Sequence, residues 1–169
     1  MKRVDLNTLR PEIFRIFLKQ NALLTAGDRD KCNTMTIGWG QLGTLWNQPV
    51  CTVYVRPERY TSEFLESHDY FTVSVLPEGN QKIMGFCGSK SGRDVDKIKE
   101  CGLTVCYGAG DAPYIAEAEL VLVCKKAYVQ DMDAACVLEE GTVLPFYGEK
   151  GGWHRMYTGL VIEAYEKEL

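Results

Sequence analysis

A succession of β-branched and aromatic runs, with too little chain between them for regular crossover helices, most constrains this fold. Ala22-Leu23-Leu24-Thr25-Ala26 runs up to Gly27-Asp28, and residues 34–40 alternate Met35, Ile37 and Trp39 against Thr34, Thr36 and Gly38. Val50-Cys51-Thr52-Val53-Tyr54-Val55 is stopped by Pro57, and Tyr70-Phe71-Thr72-Val73-Ser74-Val75-Leu76 follows. Further strands are predicted at 103–107, 114–118, 119–129 and 156–165. Period-two patterning and β-branched content are what a pleated strand requires. Short helices are predicted over residues 10–19 behind Pro11-Glu12, over 61–66, from Pro77 to Gly88, from a cap at Ser91 or Asp94 to Gly102, and over 131–138. With roughly six or seven strands and no regular alternation with helices, a doubly wound parallel sheet is disfavoured. A mainly β fold, an antiparallel barrel flanked by short helices, fits the pattern.

The 169 residues suit one domain, 1–169, with a core large enough to need no staples. Nineteen Lys+Arg against 23 Asp+Glu give a net charge of −4, which argues against nucleic acid as a partner. The basic residues near Met1 lead into no long apolar run, and residues 12–24 carry Arg15, Lys19, Gln20 and Asn21. No membrane association and a cytoplasmic location are therefore expected. The seven cysteines form no Cys-x-x-Cys pair and no repeated spacing, unlike a disulfide framework or zinc ribbon. Most read as small core residues in a reducing compartment; Cys87, inside a Gly/Ser turn, stands apart. With only His68 and His154, no metal site is expected.

Two segments carry site chemistry. In Asn33-Thr34-Met35-Thr36-Ile37-Gly38-Trp39-Gly40, glycines open a strand to close approach, and Met35, Trp39 and the later Trp46 offer contact surface. That suits a flat ring whose polar edge seeks backbone hydrogen bonds, as in a flavin; a barrel strand with glycines at a bend has the same pattern. Arg56-Pro57-Glu58-Arg59-Tyr60-Thr61-Ser62 sets two guanidinium groups ahead of a hydroxyl-opened helix, a fit for a phosphate. A surface turn in which those arginines pair with Glu58 and Glu63 is the competing reading. Ser91-Gly92-Arg93-Asp94-Val95-Asp96-Lys97 could add a second arm, with Ser91 and Lys97 reaching an anion. It matches neither a P-loop nor a dinucleotide fingerprint. His154, in Gly151-Gly152-Trp153-His154-Arg155, could donate a proton near a flavin or contact a nicotinamide; a hairpin histidine is the alternative. No other catalytic side chain stands out.

Taken in order, these stretches resemble the flavin reductase-like FMN-binding split-barrel family, in its flavoredoxin-type branch. The resemblance rests on Asn33 through Gly40, Leu45-Trp46 with Pro49, Arg56 through Thr61, Phe71 through Leu76, Cys87-Gly88 with Ser91 through Lys97, and Gly102-Leu103-Thr104. It implies a Greek-key split barrel, a homodimer, and FMN near the subunit interface. It places the isoalloxazine along Asn33–Trp39 and the phosphate among Arg56, Tyr60, Thr61, Ser91 and Lys97, with Cys87 and Gly88 alongside. It implies an oxidoreductase that takes electrons from NAD(P)H or a protein redox partner, or an electron carrier without NAD(P)H turnover. A split-barrel dimer that binds no flavin is the remaining alternative. Many NAD(P)H-dependent members carry an acidic residue beside a C-terminal histidine; here Trp153 and Arg155 flank His154, which counts against direct nicotinamide oxidation.

Overall fold

The structure, a computed structural model, describes residues 1–148 and 152–167. Among the described residues there are ten strands: β1 (Lys2–Val4), β2 (Ala22–Gly27), β3 (Cys32–Ile37), β4 (Gly40–Leu45), β5 (Gln48–Val55), β6 (Tyr70–Val75), β7 (Val105–Tyr107), β8 (Pro113–Ile115), β9 (Leu120–Asp131) and β10 (Arg155–Glu166). The main sheet is antiparallel throughout and runs β3-β2-β6-β9-β10-β5-β4, with β1 on β10; β7 and β8 form a separate hairpin. Helices α1 (Ile13–Arg15), α2 (Tyr60–Ser67), α3 (Gln81–Ser89), α4 (Lys97–Glu100) and α5 (Glu140–Val143) are all short. The expectation of a mainly β, antiparallel fold with short helices holds.

The central strands read as continuous apolar runs because both faces of the sheet are covered. Leu122 and Cys124 of β9, Val73 of β6 and Leu24 of β2 face one core with Val53, Leu65 and Tyr157. Val121, Val123 and Leu23 face a second core built by Met84, Cys87, Leu103 and Ile115. Successive side chains thus enter different cores, as the two-residue period demands. Each fully buried Leu or Val contributes roughly 1.5–3 kcal/mol. Polar side chains among them are paired: Thr72 Oγ1 donates to Pro113 O at 2.6 Å, and Ser74 Oγ accepts from Ile115 N at 3.3 Å.

Several boundaries differ from expectation. The run expected over 34–40 is two strands: β3 ends at Ile37 and β4 begins at Gly40. The β4–β5 hairpin turns on Trp46 (φ 52°) and Asn47 (φ 55°), the two left-handed positions of a tight hairpin. No glycine marks that turn, and β4, rich in Gly, Gln and Thr, lacks strand character of its own. The helix expected over 10–19 is α1 followed by a π-helical turn, Ile16–Gln20, with Ile16 and Phe17 buried and Phe14 and Leu18 exposed. The cap of α4 is Asp96, accepting from Lys99 N at 3.1 Å, rather than Ser91 or Asp94. Residues 131–138 hold only a 3-10 turn, Ala134–Cys136.

Candidate functional site

β3 lies at one end of the main sheet and, among the described residues, ladders only with β2, so its outer N–H and C=O groups face no second strand there. Helices α2, α3 and α4 pack along it. At its Asn33 end they enclose a cavity of about 350 Å³, at the small end of the roughly 300–1,000 Å³ typical of ligand sites. Asn33 and Met35 reach it from β3. Arg56, Arg59, Tyr60 and Thr61 line it from the β5–α2 junction, and Cys87, Gly88, Ser91, Gly92, Arg93 and Lys97 from the α3–α4 segment. Three stretches far apart in sequence are thereby brought to one place.

The cavity is strongly cationic. Arg56, Arg59, Lys90, Arg93 and Lys97 line it against the single carboxylate of Glu58. Arg93 is neutralised elsewhere: it pairs with Glu63, donates to Glu58 O at 3.3 Å and lies over the Tyr60 ring at 4.9 Å. Lys97 is different. It is 4% exposed, and among the described residues its ammonium has one partner, the Cys87 carbonyl, at 3.1 Å from Nζ. A buried ammonium without a counter-charge is costly. Burial accordingly holds its pKa below the ordinary lysine value, Cys87 partly opposes this, and Arg59 adds to it. An anion in the cavity would supply the missing charge.

Local structure aims further donors at the same space. Arg59 caps α2 without a side-chain hydrogen bond, so the first amides of that helix lack a capping oxygen where Tyr60 and Thr61 meet the cavity. Thr61 Oγ1 accepts from Asn33 Nδ2 at 2.8 Å, which leaves its own proton available to a ligand. Gly92 lets the α3–α4 segment lie directly on β3: a Cβ there would collide with Asn33 Oδ1 and sit 3.0 Å from Tyr60 Cδ1.

The rest of the β3 motif lies elsewhere. Thr34 is buried and accepts from Thr25 Oγ1 at 3.0 Å, and Ile37 belongs to the first core. Thr36 donates to Met84 O at 2.6 Å and borders a second cavity of about 650 Å³. In that larger cavity Arg15 is already paired with Glu12 at 2.7 Å and Glu78 at 2.6 Å. The glycines expected to open the strand serve packing on the side their Cβ would take. A Cβ on Gly38 would sit 2.6 Å from Asn21 Oδ1, and one on Gly40 would run into the Phe17 ring. Trp46 sits exposed at the hairpin tip, 6.3 Å from Tyr128, and not at the cavity.

Just past β3, Trp39 is 39% exposed and meets His154 at 4.6 Å and Phe146 at 5.2 Å between ring centroids. Tyr147 stacks on Trp153 at 3.9 Å, and its hydroxyl lies 3.1 Å from His154 Nδ1. Burial, reinforced by Arg56, pushes the His154 pKa down to about 4, so its ring is neutral at pH 7. Arg56 joins the two regions: it lines the cavity, donates to Phe146 O at 2.7 Å and lies 5.7 Å over Tyr147. Gly151 of the His154 loop lies outside the described residues. Arg59, the second guanidinium of the Arg56–Ser62 turn, lines the cavity as that turn suggests; the contact of Gly92 with Asn33 carried no local signal, and neither did Phe146 and Tyr147.

The comparisons with known proteins agree with this architecture. Flavoredoxin from Methanosarcina acetivorans is 27% identical, with a TM-score of 0.70 over 88% of this chain and 69% of that one. An FMN-binding protein from Thermus thermophilus superposes with a TM-score of 0.71 at 20% identity, over 99% of this chain and 83% of the other. The NADH:FAD oxidoreductase of Streptomyces globisporus gives 0.65 at 22% identity, over 88% and 74%. No curated protein matches. The fold is thus that of the flavin reductase-like split barrels, and flavoredoxins are among its structural neighbours. Since the profile of the flavin reductase like domain spans residues 14–168, the chain belongs to that family.

Proposed function

We propose that this chain binds FMN and acts as a flavin reductase-like oxidoreductase, taking electrons from NAD(P)H or from a protein donor. The observation that carries the reading is Lys97, a buried ammonium lining a cationic cavity and held, among the described residues, only by the Cys87 carbonyl. Lys97, Arg56 and Arg59, with the Thr61 and Ser91 hydroxyls and the uncapped start of α2, would hold the phosphate. Met35 and Trp39 would supply apolar contact to the ring, and the outer edge of β3 would supply hydrogen bonds. The flavin itself supplies the electron transfer; the chain binds, orients and shields it. His154, neutral and hydrogen-bonded to Tyr147, would act as a polar contact rather than as an imidazolium acid.

Purified protein incubated with FMN and freed of excess ligand should be yellow, and should hold FMN more tightly than riboflavin. A colourless protein after that treatment would refute the reading. Steady-state NADH or NADPH consumption with added free flavin tests the enzymatic part. A flavoredoxin-type carrier that passes electrons between proteins is favoured by the cover over Trp39, where Phe146 and His154 occupy the approach. It predicts a yellow protein with no turnover above background. A homodimer in the cytoplasm completes the proposal; the exposed Phe14, Leu18, Trp46, Tyr128 and Val129 are the side chains a second copy would cover. Light scattering would report the mass.

A further inference from the structure

We propose that Cys87 and Cys101 form a redox-active dithiol, which a low-molecular-weight disulfide converts to an intramolecular disulfide that staples the α3–α4 segment of the cavity. Cys87 lies in α3 and is 1% exposed; Cys101, the C-cap of α4, is half-buried; their sulfurs are 3.9 Å apart. The pair brackets the cavity-lining stretch that contains Gly88, Ser91, Gly92, Arg93 and Lys97. Lys97 Nζ already ties the end of this stretch back to the Cys87 carbonyl. Closing the bond brings the sulfurs to roughly 2.05 Å. The other close pair, Cys51 and Cys124, is fully buried between strands and out of reach of a reagent in water.

The two thiols have unequal access, which sets the order of events. Burial and the neighbouring Cys101 sulfur push the Cys87 thiol up, so it is the poorer first nucleophile. Cys101, partly open to solvent, attacks one sulfur of the external disulfide as its thiolate. One thiolate leaves and takes up the proton that Cys101 lost. Cys87 then gives up its proton and attacks the Cys101 sulfur, expelling the second thiolate, which takes that proton. In sum, two protein thiols and one external disulfide become one protein disulfide and two external thiols. The protein sulfurs are oxidised, the reagent's sulfurs are reduced, and a dithiol reductant reverses the change.

Cross-linking residues 87 and 101 removes conformational freedom from the segment between them. A stapled segment is preorganised, so the oxidised protein should hold a phosphate-bearing ligand more tightly. That last consequence rests on the proposed FMN site; the dithiol itself does not. The test uses the full chain with Cys136→Ser, which removes the exposed competing thiol, and oxidised glutathione as the probe. Expected are a mass lower by two hydrogen atoms, a peptide linking Cys87 to Cys101, slower amide exchange over residues 88–97, and FMN affinity raised about five-fold. Adding Cys101→Ser should abolish all four responses. A stable glutathione adduct on Cys101, no linkage, or linkage with unchanged exchange would overturn the proposal. Linkage and slowed exchange in a protein that binds FMN in neither state would uphold the dithiol and remove the flavin reading.

Discussion

The two ends of the β3 segment are built on opposite principles. At Asn33 the side chains are polar and cationic, the covering segment touches the strand through Gly92, and a buried ammonium has no counter-charge among the described residues. At Trp39 the surface is aromatic, and the chain provides its own cover through Phe146 and His154. The first end is a preorganised electrostatic site that an anion would complete. The second is an apolar contact already satisfied from within, so that a planar ligand must share it or displace it. Arg56 touches both ends, binding the Phe146 carbonyl while its guanidinium borders the cavity.

The largest effect expected from breaking this asymmetry is at Lys97. Lys97→Met should weaken FMN by roughly 1.5–3 kcal/mol, the worth of a charged hydrogen bond, and leave riboflavin nearly unchanged in parallel titrations. Equal losses for both ligands would mean that the cavity is not a phosphate site. The same variant sharpens the burial argument. Burial lowers the folded-state pKa of Lys97 below the ordinary value of 10.5. The unfolded chain therefore holds that proton more strongly, and stability rises as pH climbs from the folded pKa toward 10.5. Urea melts at pH 7 and pH 10 should show that rise in the parent and lose this contribution in Lys97→Met.

Gly92→Ala should come next, costing roughly 1–3 kcal/mol of stability by overpacking, with a parallel loss of FMN affinity. Combining it with Asn33→Ala should recover part of the stability, because the clash is with the Asn33 amide. A smaller effect is expected at the aromatic end. Trp39→Leu should weaken FMN and riboflavin alike, by about 0.5–1.5 kcal/mol, since a ring contact does not distinguish them.

The smallest effect concerns His154. Its folded-state pKa of about 4 lies below the ordinary 6.5. The unfolded chain is protonated first, so stability falls as pH drops from 6.5 toward 4. Thermal melts at pH 7 and pH 5 should show a shallower decline in His154→Gln than in the parent.

Much of this arrangement is legible along the chain. The strands at β2, β5, β6, β9 and β10, the helix α2 and the cationic Arg56–Thr61 turn each follow from local patterning, and each is found. β4 is not legible, because its glycines and polar residues become a strand only through the ladder to β5 and a hairpin that holds Trp46 and Asn47 at positive φ. The roles of Gly38 and Gly40 are not legible either. A glycine announces that something comes close, but not whether it is a ligand or, as here, Asn21 and Phe17.

The sequence by itself determined the class of the fold and the cations available to the site, because periodicity, turn chemistry and charge act over a few residues. Only the tertiary structure decided which of those residues meet. Asn33, Thr61 and Lys97 share a cavity, and Cys87 faces Cys101, because the β3 edge of the main sheet and three short helices converge there. Such convergence depends on ladder register and packing between distant segments, and no local pattern encodes either.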